Sequence, residues 1–220
     1  MLRRVLEIRT EADALLGTPL ATGLRGAGEQ AGGVRWMARL RDDDGRVWRA
    51  EAGAAAALGT AWTCGDAPPP CAALRSLRPA EIEVRAQLPD GRSASRTVRR
   101  RLLADGVEVR RWRDRAPLAV TLYLPAERPA TGVVLLDQHA GEPVPWLPVA
   151  AALLASRGPL VATATTAGAG RRAGQADAIA DLAAALQALP QAGGAAAAVL
   201  TEVPLPPGLP APAGTDAAQG

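Results

Sequence analysis

Residues 34–52 read VRWMARLRDDDGRVWRAEA and carry the clearest fold signal in the chain. In the first half, Trp36, Ala38 and Leu40 alternate with other residues, mostly arginines, and this period of two is typical of a β-strand with one buried face. The run stops at residues 42–45, where an Asp-Gly pair supplies the positive φ that a tight hairpin turn requires. The second half alternates again. The stretch therefore predicts a β-hairpin with one face on a core and the other in water.

Two further Asp-Gly pairs, Asp90-Gly91 and Asp105-Gly106, lie between runs of similar alternation. Residues 81–88 alternate charged and apolar side chains, and residues 92–101 return after the turn. Several short strands separated by turns favour an antiparallel β-sandwich. We therefore predict an all-β, antiparallel, immunoglobulin-like sandwich over residues 1–105.

Metal and cofactor sites are not expected in this chain. The three aspartates of residues 42–44 fit a turn better than a calcium loop, which needs spaced oxygen ligands ending in a glutamate. Cys64 and Cys71 flank three prolines and are close enough in sequence to form a disulfide, although free thiols are the simpler interpretation. His139 is the only histidine. A zinc site of four Cys and His ligands is therefore excluded.

The pattern changes after residue 117. Residues 118–125 and 132–137 predict strands, and the second run is continuously apolar, as in parallel sheets covered on both faces. A helix is expected over residues 148–155, because Pro148 suits a first turn and Gly158 suits a C-terminal cap. A strand at 160–164, a helix at 175–189 and a strand at 195–201 complete two βαβ units. We predict a parallel sheet with helices over residues 106–203, and a disordered Pro/Gly-rich tail over 204–220.

Composition and charge favour a soluble globular protein with two units. The chain has 220 residues, 48% of them hydrophobic and 21% charged. Residues 1–115 hold 21 arginines and 15 acidic residues, whereas residues 116–220 hold 4 and 7. Most arginines of the basic half alternate with apolar residues, which indicates a solvated sheet face and not a nucleic-acid site. We find no apolar run of the ~20 residues needed to span a membrane, and no secretory signal, so a cytoplasmic location is expected.

Several motifs, in the same order along the chain, resemble one two-domain family, the acyl-CoA thioesterases and bile acid-CoA:amino acid N-acyltransferases. The motifs are ALLGTPL at 14–20, VRWMARL at 34–40, DGRVWRAEA at 44–52, GDAP at 65–68, VEVRR at 107–111, LAVTLYLP at 118–125 and ALLASRG at 152–158. The resemblance covers roughly residues 5–201. It implies a β-sandwich followed by an α/β-hydrolase domain, and a ligand of the acyl-CoA type.

The same resemblance implies an incomplete active site. In this family a nucleophile elbow, Gly-x-Ser/Cys-x-Gly, follows the strand after the second helix. The corresponding residues 199–204 read VLTEVP and contain neither serine nor cysteine. The triad acid and histidine come later in the family than this chain extends. We therefore expect no catalytic residues in residues 1–220, and no hydrolysis of acyl-CoA at an enzymatic rate.

One remnant of the family site is expected in residues 137–142. His139 and Gly141 follow the first buried strand, where hydrolases place the loop that helps to form the oxyanion hole. The glycines Gly168, Gly170 and Gly174 lack the spacing of a phosphate-binding loop and indicate a flexible βα loop.

Three functional hypotheses follow. The first is an acyl-CoA thioester hydrolase or acyltransferase relative that is catalytically incomplete. The second is a non-catalytic binding or interaction module that uses the β-sandwich. The third is an active esterase with an unrecognised nucleophile, Ser156 or Thr201. Because a partial hydrolase sheet leaves one edge uncovered, self-association is also expected.

Overall fold

The computed structural model describes residues 5–11, 13–18, 22–28, 33–58, 62–65, 72–112, 118–127, 129, 131–137, 144–166, 180–184 and 196–200. These residues divide into two compact units. Unit 1 comprises the described residues up to Leu74 together with Arg78–Arg101. Unit 2 comprises Arg75–Leu77 and the described residues from Leu102 onwards. The division falls after Arg101. The domain boundary that the sequence pattern places at residue 105 stays a prediction. The expected tail at 204–220 lies outside the described residues.

Unit 1 consists of strands in two sheets. Two strands, β1 and β3, form an antiparallel pair, and the other six form a sheet of order β2-β8-β7-β4-β5-β6. The strands are β1 (Glu7–Thr10), β2 (Ala14–Leu15), β3 (Thr22–Arg25), β4 (Arg35–Arg41), β5 (Val47–Ala52), β6 (Trp62–Thr63), β7 (Ala80–Gln87) and β8 (Ser93–Arg101).

The two predicted hairpins are confirmed. Strands β4 and β5 pair antiparallel across the first Asp-Gly turn, and β7 and β8 across the second. Gly45 and Gly91 have φ values of 80° and 85°, as such turns require. The prediction of a wholly antiparallel unit is wrong for β2, which pairs parallel with β8. Strands of two to four residues are too short for a period of two to reveal them. The sequence analysis therefore missed β1, β2, β3 and β6.

The period of two correctly separates the two faces of the six-stranded sheet. Trp36, Leu40, Trp48 and Val84 point into the core and are 6%, 1%, 0% and 0% exposed. The residues between them along these strands, mostly arginine and glutamate, are largely exposed. The basic half of the chain therefore forms a solvated sheet face, as its sequence predicts.

Asp42 organises the first hairpin turn from inside the protein. Its side chain is 4% exposed and accepts four hydrogen bonds. Oδ1 accepts from the backbone N–H groups of Asp44 and Arg46, at 3.1 and 2.8 Å, whereas Oδ2 accepts from the indole of Trp48 and the N–H of Ala73, both at 3.1 Å. The aspartate is thus a turn residue, as predicted.

Unit 2 contains a five-stranded mixed sheet of order β13-β11-β12-β10-β9. Strand β11 is parallel to β12 and β13, and β10 is antiparallel to β12 and β9. The elements are β9 (Glu108–Trp112), β10 (Leu118–Leu124), β11 (Thr131–Asp137), α1 (Leu147–Ala155), β12 (Leu160–Thr166) and β13 (Ala196–Leu200). Residues 180–184 are also helical.

The prediction of a parallel sheet is wrong at one side, where β10 is antiparallel to both of its neighbours, β9 and β12. Only five residues separate β9 from β10, and a parallel pair requires a crossover of a dozen or more residues. These two strands consequently pair antiparallel. The three strands that continue the sheet are joined through helical segments and are parallel, as their order along the chain predicts.

Both faces of this sheet are covered. On one face, Tyr123, Leu135 and Val161 pack with residues of α1 in one hydrophobic cluster. On the other face, Leu136 and neighbouring apolar residues pack with Leu182 of the 180–184 helical segment. The continuously apolar sequence of β11 predicts this double burial.

Candidate functional site

A cleft of about 500 Å³ lies in unit 2 beside the start of α1. This volume is within the range of small-molecule sites, about 300–1,000 Å³. Strands β10 and β12 supply four hydroxyl groups, and the segment before α1 supplies most of the apolar lining. The lining residues are Arg75, Ala119, Thr121, Tyr123, Val144, Pro145, Leu147, Pro148, Thr163 and Thr165.

Strand register explains why these hydroxyl groups come together. Thr121 is opposite Thr163, and Ala119 is opposite Thr165. Because side chains alternate between faces along a strand, Thr121 and Tyr123 share the face on which α1 packs. Strand β10 runs antiparallel to β12, so the start of β10 adjoins the carboxyl end of β12.

The cleft lies beside the carboxyl end of β12 and the adjoining start of β10. Strands β11 and β12 are parallel, so their carboxyl ends meet at one edge. The chain continues from β11 to α1 on one face and from β12 to the 180–184 helical segment on the other.

Tyr123 is the most buried hydroxyl-bearing residue in the cleft lining. Its side chain is 3% exposed. Burial raises the pKa of Tyr123 to about 12, because the charged phenolate is disfavoured away from water. Within the described part of the chain its hydroxyl has no hydrogen-bond partner. At neutral pH the residue is therefore an uncharged hydrogen-bond donor.

Asp137 fixes the backbone that lines one side of the cleft. It is the last residue of β11 and is 4% exposed. One of its carboxylate oxygens, Oδ2, accepts a hydrogen bond of 2.9 Å from the N–H of Val144. This bond ties the segment preceding α1 to the edge of the sheet and so positions Val144 against the cleft.

The predicted oxyanion-loop residues His139 and Gly141 lie outside the described residues. So do Thr201 and the rest of the stretch expected at the nucleophile position. Both stretches directly follow strands, β11 and β13, that are parallel neighbours.

Ser156, the other nucleophile considered, has a structural role. Its hydroxyl donates to the carbonyl of Ala152 at 2.7 Å and accepts from the N–H of Ala104 at 2.9 Å. The residue caps the end of α1 and ties it to the turn before β9. Among the described residues no histidine or carboxylate is hydrogen-bonded to this hydroxyl, so nothing there activates it.

Metal ligation finds no support in the described part of the chain. No group of three or more histidine, cysteine or acidic residues there is arranged to hold an ion. Cys64 is a free, buried thiol, and Cys71 lies outside the described residues. The glycines Gly168, Gly170 and Gly174 also lie outside them. Among the described residues, no helix is long and apolar enough to cross a membrane.

A second cavity, of about 710 Å³, is a groove on the exposed face of the six-stranded sheet in unit 1. It is lined by residues of four strands. These are Met37, Ala38, Arg39, Arg49, Ala50, Glu51, Thr63, Glu83 and Arg85.

The sequence analysis missed the residues that line the unit 2 cleft. One signal for them was present, because Thr121 and Tyr123 place polar atoms on one face of a strand in an otherwise apolar run. Thr163 and Thr165 repeat this pattern on β12. Arg75 carries no such signal, because it belongs to a short segment far from these strands in sequence.

The chain matches no protein-family model, and no curated protein has significant sequence similarity to it.

Proposed function

We propose that this protein is a relative of the acyl-CoA thioesterases and acyl-CoA:amino acid N-acyltransferases that binds an acyl-CoA-type ligand in the unit 2 cleft without turning it over. The observation that carries the proposal is the composition of the cleft at the carboxyl end of β12, which combines an arginine, four hydroxyl groups and an apolar wall. The motif order along the chain, from residues 14–20 to residues 152–158, supplies the ligand class.

The strand order of unit 2 supports the same family. Numbered along the chain, its five strands have the order 1-2-4-3-5, with the second strand antiparallel to its neighbours. An α/β-hydrolase sheet is expected to begin in this way. In that arrangement the loop after the third strand contributes to the oxyanion hole. Here that loop follows β11 and contains His139 and Gly141.

The cleft offers groups suited to each part of an acyl-CoA. The guanidinium of Arg75 suits a phosphate group, because its planar fork matches phosphate oxygens. The hydroxyls of Tyr123 and the threonines suit the polar carbonyl and amide groups. The side chains of Val144 and Leu147 suit an apolar acyl chain.

Binding without turnover is consistent with what lines the cleft. Among the described residues no histidine, cysteine or carboxylate lines it. Tyr123 is no substitute for a general base, because a group with a pKa of about 12 stays protonated near neutral pH. Residues 199–204 also lack a serine or cysteine nucleophile.

Equilibrium binding of acyl-CoAs of different chain length, measured by calorimetry, tests the proposal. Tyr123→Phe removes one donor and keeps the ring, and we expect about five-fold weaker binding, as for one neutral hydrogen bond. Arg75→Gln removes a charged donor, and we expect about ten-fold or greater weakening.

The matched control is Arg157→Gln, which removes the same charge from an exposed position of unit 2 outside the cleft. It should bind like the wild type. The proposal is wrong if no acyl-CoA binds saturably, or if all three variants bind equally well.

A second candidate function, binding by unit 1 alone, is favoured by the groove on the six-stranded sheet. This groove is larger than the unit 2 cleft and contains three arginines. A ligand of unit 1 would be insensitive to Tyr123→Phe and to Arg75→Gln, and this separates the two candidates.

A further inference from the structure

The groove of unit 1 contains two arginines in an unfavourable arrangement. Arg39 on β4 is directly opposite Arg49 on β5, on the exposed face of the sheet. Cβ atoms of directly opposed residues are about 4.5–5.5 Å apart, and like charges at such positions destabilise the sheet. Within the described residues neither guanidinium forms a hydrogen bond or an ion pair.

Other charges on the same face are paired. Arg35 donates two hydrogen bonds to Glu51, one of them 2.7 Å from Nη2 to Oε2. This hydrogen bonding lowers the pKa of Glu51, which therefore remains ionised. Its carboxylate is already bound by Arg35. Arg99 contacts Glu81 at 3.3 Å in the same way.

Glu83 is the neighbouring carboxylate, and it neutralises the positive charge of the arginine pair only in part. Glu83 is directly opposite Arg39 on β7, yet it is not within ion-pair distance of either arginine. Arg85, which contacts the hydroxyl of Ser93 at 3.3 Å, adds a third positive charge to the groove. Arg39, Arg49 and Arg85 thus outnumber the one carboxylate that is not held by another arginine.

We propose that the groove binds a small organic molecule through an oxyanion group, phosphate or carboxylate, held between Arg39 and Arg49. Two guanidinium groups at directly opposed positions of neighbouring strands can each donate paired hydrogen bonds to such a group. The half-buried Met37, two residues before Arg39 on the same face of β4, provides an apolar contact for the rest of the ligand. The inference rests on the second candidate function, binding by unit 1, and is independent of acyl-CoA binding in unit 2.

The test follows thermal unfolding of the full chain in pyrophosphate and in citrate, against sodium chloride of equal ionic strength. A ligand that binds only the folded state raises its stability in a saturable manner. We expect saturable stabilisation by at least one of the two probes. Stabilisation by pyrophosphate alone indicates a phosphate ligand, and stabilisation by citrate alone indicates a carboxylate. Stabilisation by both indicates a general oxyanion site.

Arg39→Gln and Arg49→Gln should each weaken the binding of the active probe at least ten-fold. Each should also raise the unfolding midpoint without ligand, because the like-charge pair is removed. Arg41→Gln is the control, since Arg41 is exposed on the same strand face but lies outside the groove. It should leave both readouts unchanged.

The inference is overturned if neither probe stabilises the wild type beyond sodium chloride. It is equally overturned if Arg39→Gln and Arg49→Gln respond to the probe like the wild type. Tyr123→Phe and Arg75→Gln should not alter the response, so a failure here leaves acyl-CoA binding in unit 2 to its own experiment.

Discussion

Two buried polar residues, Asp42 and Tyr123, differ in the hydrogen bonds that the described residues form with their side chains. Asp42 accepts four hydrogen bonds and is fully used by the fold. Tyr123 is as deeply buried but lacks a partner within the described residues. The sequence predicted the turn at Asp42 but not its burial, because that depends on Ala73, 31 residues away.

We predict that Asp42→Ala destabilises the protein by about 2–4 kcal/mol, because four donors lose their acceptor and two of them are buried. Urea denaturation measures the change. Asp44→Ala, at a partly exposed position of the same turn, is the control and should cost less than about 1 kcal/mol. Equal effects of the two substitutions would show that the buried carboxylate has no special role.

Tyr123 should ionise near pH 12 in the folded protein and near pH 10 in the unfolded chain. The folded state then binds more protons between these values, so its stability falls as pH rises from about 10 to 12. Tyr123 is the only tyrosine, so near-ultraviolet absorbance of the phenolate reports this residue alone. Tyr123→Phe should lose that part of the alkaline destabilisation. An absorbance midpoint near 10 in the folded protein would contradict the burial of the hydroxyl.

At the scale of elements, the turns, the long strands and the two hairpins were predictable, whereas the position of β10 in its sheet was not. The hairpin over residues 34–52 follows from local alternation and one Asp-Gly pair. The helix α1 follows from Pro148 and Gly158, whose φ is 116°. The antiparallel position of β10 between β9 and β12 depends on contacts distant in sequence, which no local period reports.

The turn at Asp105-Gly106 allows a direct test of backbone geometry. Gly106 has a φ of 80°, and an added Cβ would lie 2.8 Å from the Cβ of Ala126. Gly106→Ala should therefore lower the free energy of unfolding by more than the roughly 1–2 kcal/mol that a left-handed backbone conformation alone costs. In an Ala126→Gly background the steric part should disappear and only the backbone part should remain. Urea denaturation of the wild type, the two single variants and the double variant gives both parts. Equal losses of unfolding free energy on Gly106→Ala in the two backgrounds would exclude the clash.

The whole molecule reflects the charge division of its sequence. The basic half supplies the arginine-rich sheet face of unit 1, and the nearly uncharged runs after residue 117 supply the doubly covered sheet of unit 2. The solvated, arginine-rich sheet face was predictable from the alternation of charged and apolar residues along the sequence. The unit 2 cleft was not, because it combines residues from Arg75 to Thr165, and no local pattern links positions so far apart.

Self-association should occur through β13 and not through β9. In the described part of the chain each of these strands has a single neighbour in the sheet. Strand β9 carries Glu108, Arg110 and Arg111, charges that discourage edge pairing, whereas the β13 sequence AAAVL carries none. Ala198→Lys should weaken concentration-dependent association in sedimentation velocity, and Val109→Lys should not. A wild type that stays monomeric at every concentration would refute this.

The central claim, binding of an acyl-CoA without turnover, is tested most directly by thiol release from short and long acyl-CoAs at saturating concentration. The account predicts no saturable release above ~0.1 s⁻¹, roughly two decades below a typical enzyme. Saturable release above that rate, abolished by Thr201→Ala or His139→Ala, would contradict it and place an active site at the edge where β11 and β13 end.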